Sequence, residues 1–341
     1  MPIGIAVVKW DDRIGTKLIA KYPPDIEVNP VLTMRVYGSH VLGERRESNF
    51  ITMKVDDLNI ASYFGGITIN KFVMMILEPT ERGEDYQEAI TLLGGEILPL
   101  DDEGIIKRLP EVYAKITSFL QYSVPQRIAL ALLDDDRYEV VQHLLEVGHT
   151  RVSEVRKFTK EKPVDFILDP LIDFQIVSRK WVQGINDEIV YLLRYIWVGR
   201  TPPSTFPTEI TSTVQAFFDE YALTDSEIKL VLNTLVDQVS YNIVSYLDKS
   251  QPRTVDELIA ALNFTEDEVL DAVDKLEGNN FLVRKGEYYY LISRPTIVTP
   301  IAKHLIRQVL RELNEGVIER SVALHILTDI RNELAKELGV L

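Results

Sequence analysis

Cysteine is absent from all 341 residues, which rules out disulfides, thiolate metal sites and a cysteine nucleophile. Long apolar runs are missing as well, since none approaches the ~20 residues of a membrane-crossing helix. The opening Met-Pro-Ile-Gly, followed by an alternating strand pattern, has none of the regions of a signal peptide, so the expected compartment is the cytoplasm, with no membrane insertion. Basic residues are scarce: 37 against 52 acidic ones leave a net charge of −15, which argues against the chain as a whole gripping nucleic acid or an anionic membrane. The five histidines, His40, His143, His149, His304 and His325, show no metal-ligand spacing. Neither GxxxxGK[ST] nor GxGxxG occurs. Asp134-Asp135-Asp136 sits at a helix start, where carboxylates favour the positive end of the dipole. No catalytic residue, cofactor or metal site is therefore expected, and the chain reads as a non-enzyme. The 46% apolar and 26% charged residues are ordinary for folded protein, and the length suits two or three domains.

Alternation and turn residues predict strands over 2–8 and 15–22, stopped by Pro23-Pro24. Residues 29–42 read as a helix with Asn29 as cap and Pro30 at its first position. Strands over 50–55, 59–63 and 72–77 follow, with Gly65-Gly66 before the last, then helices over 84–94 and 103–120. Two strands, a helix, three strands and further helices resemble the longin and roadblock family, an antiparallel sheet between helices. The resemblance implies a platform without catalysis that forms a homodimer or docks a small GTPase, through the helix at 29–42 and the strand at 50–55.

The stretch from Thr254 to Pro295 organises the second half. Thr254 with Glu257, and Thr265 with Glu268, are Thr-x-x-Glu capping boxes; a third, Thr224 with Glu227, opens a long run carrying Ile228, Val231, Leu232, Leu235, Val239 and Ile243. Gly278-Asn279-Asn280 stops the last helix, and two β-rich runs hinged at Gly286 follow. This order resembles a winged helix. The same order occurs earlier: a helix at 135–147 ended by Gly148, a short helix at 151–158, a third helix opened by Pro163, and a hairpin of FQIVSRKWV and DEIVYLLRYIWV around Gly184. Residues 126–133 fit helix or strand equally. Arg200–Pro207, RTPPSTFP, reads as a linker. Helices over 300–313 and 317–338 close the chain, the last with Ile318, Val322, Ile326, Ile330 and Leu334 at four-residue steps. The expected fold class is α+β multidomain: a longin/roadblock-like α/β sandwich at 1–124, winged helices at 125–205 and 206–315, and an amphipathic helical arm at 316–341.

Directing Val269, Val273 and Leu276 inward puts Asp267, Asp271 and Asp274 outside, flanked by Glu268. A groove-reading helix carries Lys or Arg there, because phosphates line the groove. These carboxylates point instead to a protein partner. Asp165, Asp169 and Asp173 run along one side of the earlier third helix, and Ile326 and Ile330 along the arm, as further protein-docking candidates, with packing on its own domain as the other reading of the arm. The alternative is nucleic acid or a ribosome, met through phosphates by Arg151, Arg156, Lys157, Lys160, Lys162, Arg179 and Lys180 in the least acidic large segment. The whole resembles archaeal adaptor proteins, which implies a scaffold linking a switch protein, such as a small GTPase, to a larger assembly.

Overall fold

The computed structural model describes residues 2–42, 49–159 and 162–339. In chain order, β1 (Gly4–Asp11) and β2 (Gly15–Tyr22) form a hairpin, and α1 (Pro30–Val41) follows. Asn29 caps α1, its Oδ1 accepting from the Leu32 amide at 2.7 Å. Then come β3 (Phe50–Val55), β4 (Leu58–Phe64), the single turn α2 (Gly66–Ile69) and β5 (Lys71–Leu77). These strands make one antiparallel sheet of order β2-β1-β5-β4-β3, with β2 and β3 at its edges.

Helices α3 (Gln87–Ile97), α4 (Asp102–Phe119), α5 (Val124–Leu132) and α6 (Asp135–Val147) lead to the short β6 (His149–Arg151), then α7 (Val152–Phe158) and α8 (Val164–Asp173). Strands β7 (Val177–Val182) and β8 (Asp187–Leu192) pair with β6 in a sheet of order β6-β8-β7. After β9 (Trp197–Thr201) come α9 (Thr211–Glu220), α10 (Asp225–Val236), α11 (Gln238–Ser250), α12 (Val255–Leu262) and α13 (Glu266–Gly278). The hairpin β10 (Leu282–Lys285) and β11 (Tyr288–Leu291), then β12 (Arg294–Val298), α14 (His304–Asn314) and α15 (Arg320–Glu337), complete the mixed α/β chain.

Two compact units result, and their borders differ from those expected. The first comprises residues 1–122, 136–194 and 301–341, the second residues 123–135 and 195–300. The segment expected as one domain at 125–205 is thus divided. Residues 126–133 settle as helix, and α5 belongs to the second unit through α10 and β12. The run DEIVYLLRYIWV also breaks: β8 stays in the first unit, whereas β9 pairs with β12 in the second. The amides of Leu193 and Arg194 turn to the Ile176 carbonyl at 2.8 and 3.2 Å, which ends the β8 ladder.

In the first unit, Leu32 and Val36 of α1 cover one face of the five-stranded sheet, packing in one cluster with Ala6, Val8, Phe72 and Met74. Helices α3 and α4 cover the other. Gly94 and Gly95 lie inside α3 rather than ending it near residue 94, as the sequence suggested. A Cβ on Gly94 would stand 3.0 Å from both Tyr63 and Val73, so this glycine lets the helix lie close on the sheet.

The C-terminal arm is no separate element. Ile318, Val322, Ile326 and Ile330 are buried within the first unit. Asp329 of α15 accepts from the Ser178 hydroxyl at 2.8 Å and the Tyr191 phenol at 2.7 Å. The four-residue apolar step is a buried stripe; α15 packs on the unit's own α14 and β7, so Ile326 and Ile330 face no external partner.

In the second unit, the expected long helix from Thr224 breaks at Asp237, which is extended and separates α10 from α11. The Asp237 carboxylate accepts from Ser240 at 2.8 Å and Lys275 at 3.1 Å. Arg200, placed by the sequence at the start of a linker, is only 5% exposed. Its guanidinium pairs with Glu227, donates to the Asn279 carbonyl at 2.8 Å and lies 3.9 Å over the Phe281 ring. The Thr224 box is therefore half made: Thr224 accepts from the Glu227 amide, while the Glu227 side chain serves Arg200. Removing the guanidinium would leave the largely buried Glu227 carboxylate and the Asn279 carbonyl without this donor, the costly kind of loss.

Candidate interaction surfaces

The two third helices, α8 and α13, share a position in the chain pattern and have opposite fates. In α8, Val164, Phe166, Ile167, Leu168 and Leu171 are all buried. The helix packs on α3 within the first unit, where Gly95 of α3 would place a Cβ 3.4 Å from that of Phe166. An apolar face this complete has no side left to enter a groove.

The aspartates of α8 accordingly face inward. Asp169 is 8% exposed, and its Oδ2 accepts from the Tyr63 phenol at 3.0 Å and the Asn49 amide at 3.1 Å. Burial, reinforced by the Asp165 charge, pushes its carboxyl up to about 7. Asp173 accepts from Gln87 at 2.9 Å, and burial raises it to about 6. Asp165 is half-exposed and pairs with Arg179 at 2.6 Å. The acidic stripe read from sequence as a docking face is thus spent inside the unit: Asp169 is withdrawn from any partner, and Asp165 is tied to an arginine.

The basic group divides in the same way. Arg179 also meets Glu188 at 2.5 Å; against the cost of burial, Glu188 and Asp165 hold it firmly charged. Lys157 pairs with Glu154 at 2.6 Å, Lys162 with Asp136 at 3.1 Å, and Lys180 stands 3.9 Å from Asp329. Lys160 lies outside the described residues. Arg151 and Arg156 are exposed, and only these two, of the described members, stand clear of a carboxylate within ion-pair distance.

On α13 the arrangement follows the sequence pattern. Val269, Ala272, Val273 and Leu276 are buried, while Asp267, Asp271 and Asp274 are exposed. Among the described residues none of these three aspartates has an ion-pair partner. Leu270, 38% exposed, stands between them on the same face. Glu268, also read as part of that face, folds back: its Oε2 accepts from the Thr265 amide at 2.9 Å and hydroxyl at 2.7 Å, and the Thr265 amide lowers its pKa.

On the five-stranded sheet, the edge strand β3 and α1 flank the region read as a platform. Val31, Met34, Val41 and Leu42, on and just past α1, are exposed at 62, 45, 45 and 85%. Among the described residues no group of His, Asp and Glu gathers as a metal site, and no helix is long and apolar enough to cross a membrane.

The chain matches no family model and no curated protein. Among the described residues the geometry gives a mixed α/β chain in which β3 lies at a sheet edge beside exposed apolar residues of α1, and α13 presents an acidic face. Sequence reasoning missed the Asp169–Tyr63–Asn49 cluster and the Arg200 hub. The first joins residues more than a hundred positions apart, for which a single sequence holds no signal. For the second, the capping-box Glu227 hid the pairing by offering a local use for the same carboxylate.

Proposed function

We propose that this protein is a non-enzymatic cytoplasmic scaffold. In this reading the N-terminal sheet and its helices are a longin/roadblock-like platform for homodimerisation or small-GTPase docking, and both helix–helix–helix–hairpin modules are winged helices. The observation that carries the reading is the contrast between α8 and α13. The first module has spent its third helix on α3, which leaves it structural; the second keeps its third helix open and lines it with unpaired aspartates. Such a face repels phosphate and suits a basic polypeptide surface. The place of β3 at the end of the strand order and the exposed apolar residues of α1 support the platform role, because an edge strand with no strand beside it among the described residues invites pairing.

The nucleic-acid alternative keeps Arg151 and Arg156 as its open cations, with its other described members beside carboxylates. A face of two charges gives a shallow salt dependence and weak binding.

The test is capture of partners from native lysate by the full chain and by a variant with Asp267, Asp271 and Asp274 changed to Lys. Specific proteins should be retained by the wild type and lost by the variant. A duplex or RNA shift that weakens steeply between ~50 and ~200 mM salt, and disappears on Arg151→Glu with Arg156→Glu, would replace this reading with the nucleic-acid one.

A further inference from the structure

Helix α14 carries a charge pattern that mirrors the open face of α13. Its apolar side, Leu305 and Val309, is buried in the first unit, and Lys303, Arg307 and Arg311 are exposed around and along the other side. Among the described residues Arg307 and Arg311 have no ion-pair partner. Leu310, 45% exposed, stands between them. The order Arg307-x-x-Leu310-Arg311 has the same spacing as Asp267-x-x-Leu270-Asp271, with opposite charge and the same exposed leucine.

We propose that the occupant of the α13 face is α14 of a second copy of this chain, laid antiparallel to it with Leu270 beside Leu310, Asp267 against Arg311 and Asp271 against Arg307. The proposal rests on the reading of α13 as a protein-binding face and names its partner. At ~1.5 Å rise per residue the equal four-residue steps keep both charge pairs level, and the antiparallel course brings the two leucines to the same side of the contact without bending either helix. Charge pairs of opposite sign at identical steps fix the register, while the two leucines exclude water between them. The net charge of −15 does not forbid the contact, because at physiological salt only groups within ~8 Å of one another interact strongly. The contact joins different faces of the two copies, so it either closes as a pair or runs on as a chain. Its small size makes it weak, visible at roughly 100 μM and above.

Sedimentation of the full chain at about that concentration tests it, at ~50 and ~500 mM salt. Mean mass should exceed the wild type's own high-salt value at low salt and return to it at high salt. One variant, Asp267→Arg with Asp271→Arg, and a second, Arg307→Asp with Arg311→Asp, should each lose this salt-sensitive step when alone. Mixed in equal amounts they should regain it, since each then offers what the other lacks, and regain also shows that both are folded. A wild-type mass indifferent to salt, or association that survives both reversals, would overturn self-pairing. If association survives the reversals but fails when the exposed residues of α1 are changed, the scaffold reading stands without this contact. If the aspartate variant loses a captured partner while wild-type mass ignores salt, the face serves a different basic polypeptide.

Discussion

At Asp169 a carboxyl group with an ordinary pKa of 3.8 holds its proton up to about pH 7. Burial against Tyr63, with Asp165 one turn away, makes the charge expensive, while the Tyr63 phenol and Asn49 amide oppose part of that cost. Between pH 4 and 7 the folded chain therefore binds a proton here that the unfolded chain does not. Stability from this group is full below about pH 4, is lost as pH rises toward 7, and is flat above it. The span is on the order of 4 kcal/mol, at ~1.4 kcal/mol for each tenfold gain in proton affinity on folding. Asp173 acts with the same sign up to about pH 6. Asp169→Asn keeps an acceptor for both donors and carries no titrating proton. Thermal unfolding from pH 5 to 8 should show the wild-type midpoint falling with pH and that of the Asp169→Asn protein falling less, with the variant the more stable of the two at pH 8. Parallel curves would show that Asp169 titrates as it does in water.

Among the elements, α3 and α8 explain why the two third helices part ways. A helix buries whatever apolar face its neighbours can reach, and Gly94 and Gly95 bring α3 close to the sheet on one side and let α8 close to it on the other. Tyr63 and Val73 are both fully buried, so neither can yield to a new methyl group on Gly94. Gly94→Ala should cost up to about 2 kcal/mol: an overpacking penalty of ~1–3, less the ~1 that alanine gains in a helix. Gly38→Ala in α1 is the matched control. Among the described residues its Cβ would find only Leu42 at 3.9 Å, so the helix gain should stand alone and stabilise by ~0.5–1 kcal/mol. Chemical denaturation of both variants measures the opposed signs, and equal effects would remove close packing as the role of Gly94.

Over the whole molecule, neither unit is a single stretch of chain. The first is assembled from three segments and the second from two. Residues 301–341 supply Ile318, Val322, Ile326 and Ile330 to the first unit, together with the Asp329 carboxylate that Ser178 and Tyr191 reach. Fully burying each aliphatic side chain contributes ~1.5–3 kcal/mol, so losing four of them approaches the whole stability of an ordinary domain. A chain ending at residue 300 should therefore lose cooperative melting of the first unit, followed by the near-ultraviolet circular dichroism of its aromatic residues. Retention of that transition would mean the arm is an addition rather than part of the core.

Much of the local structure was legible from residue order. Asn29-Pro30 announced α1, the boxes at Thr254 and Thr265 announced α12 and α13, and alternation with Gly286 announced the β10–β11 hairpin. These signals act within a few residues, where capping, periodicity and turn geometry are decided. The acidic outer face of α13 was readable for the same reason, since one buried face fixes the other. Tertiary structure alone decided that Asp169 is buried, that Arg200 is a hub and not a linker residue, that β8 and β9 part company, and that Ile326 and Ile330 are covered from within. An amphipathic stripe states that a face must be buried but not by what, and the answer depends on segments that meet across a hundred residues or more.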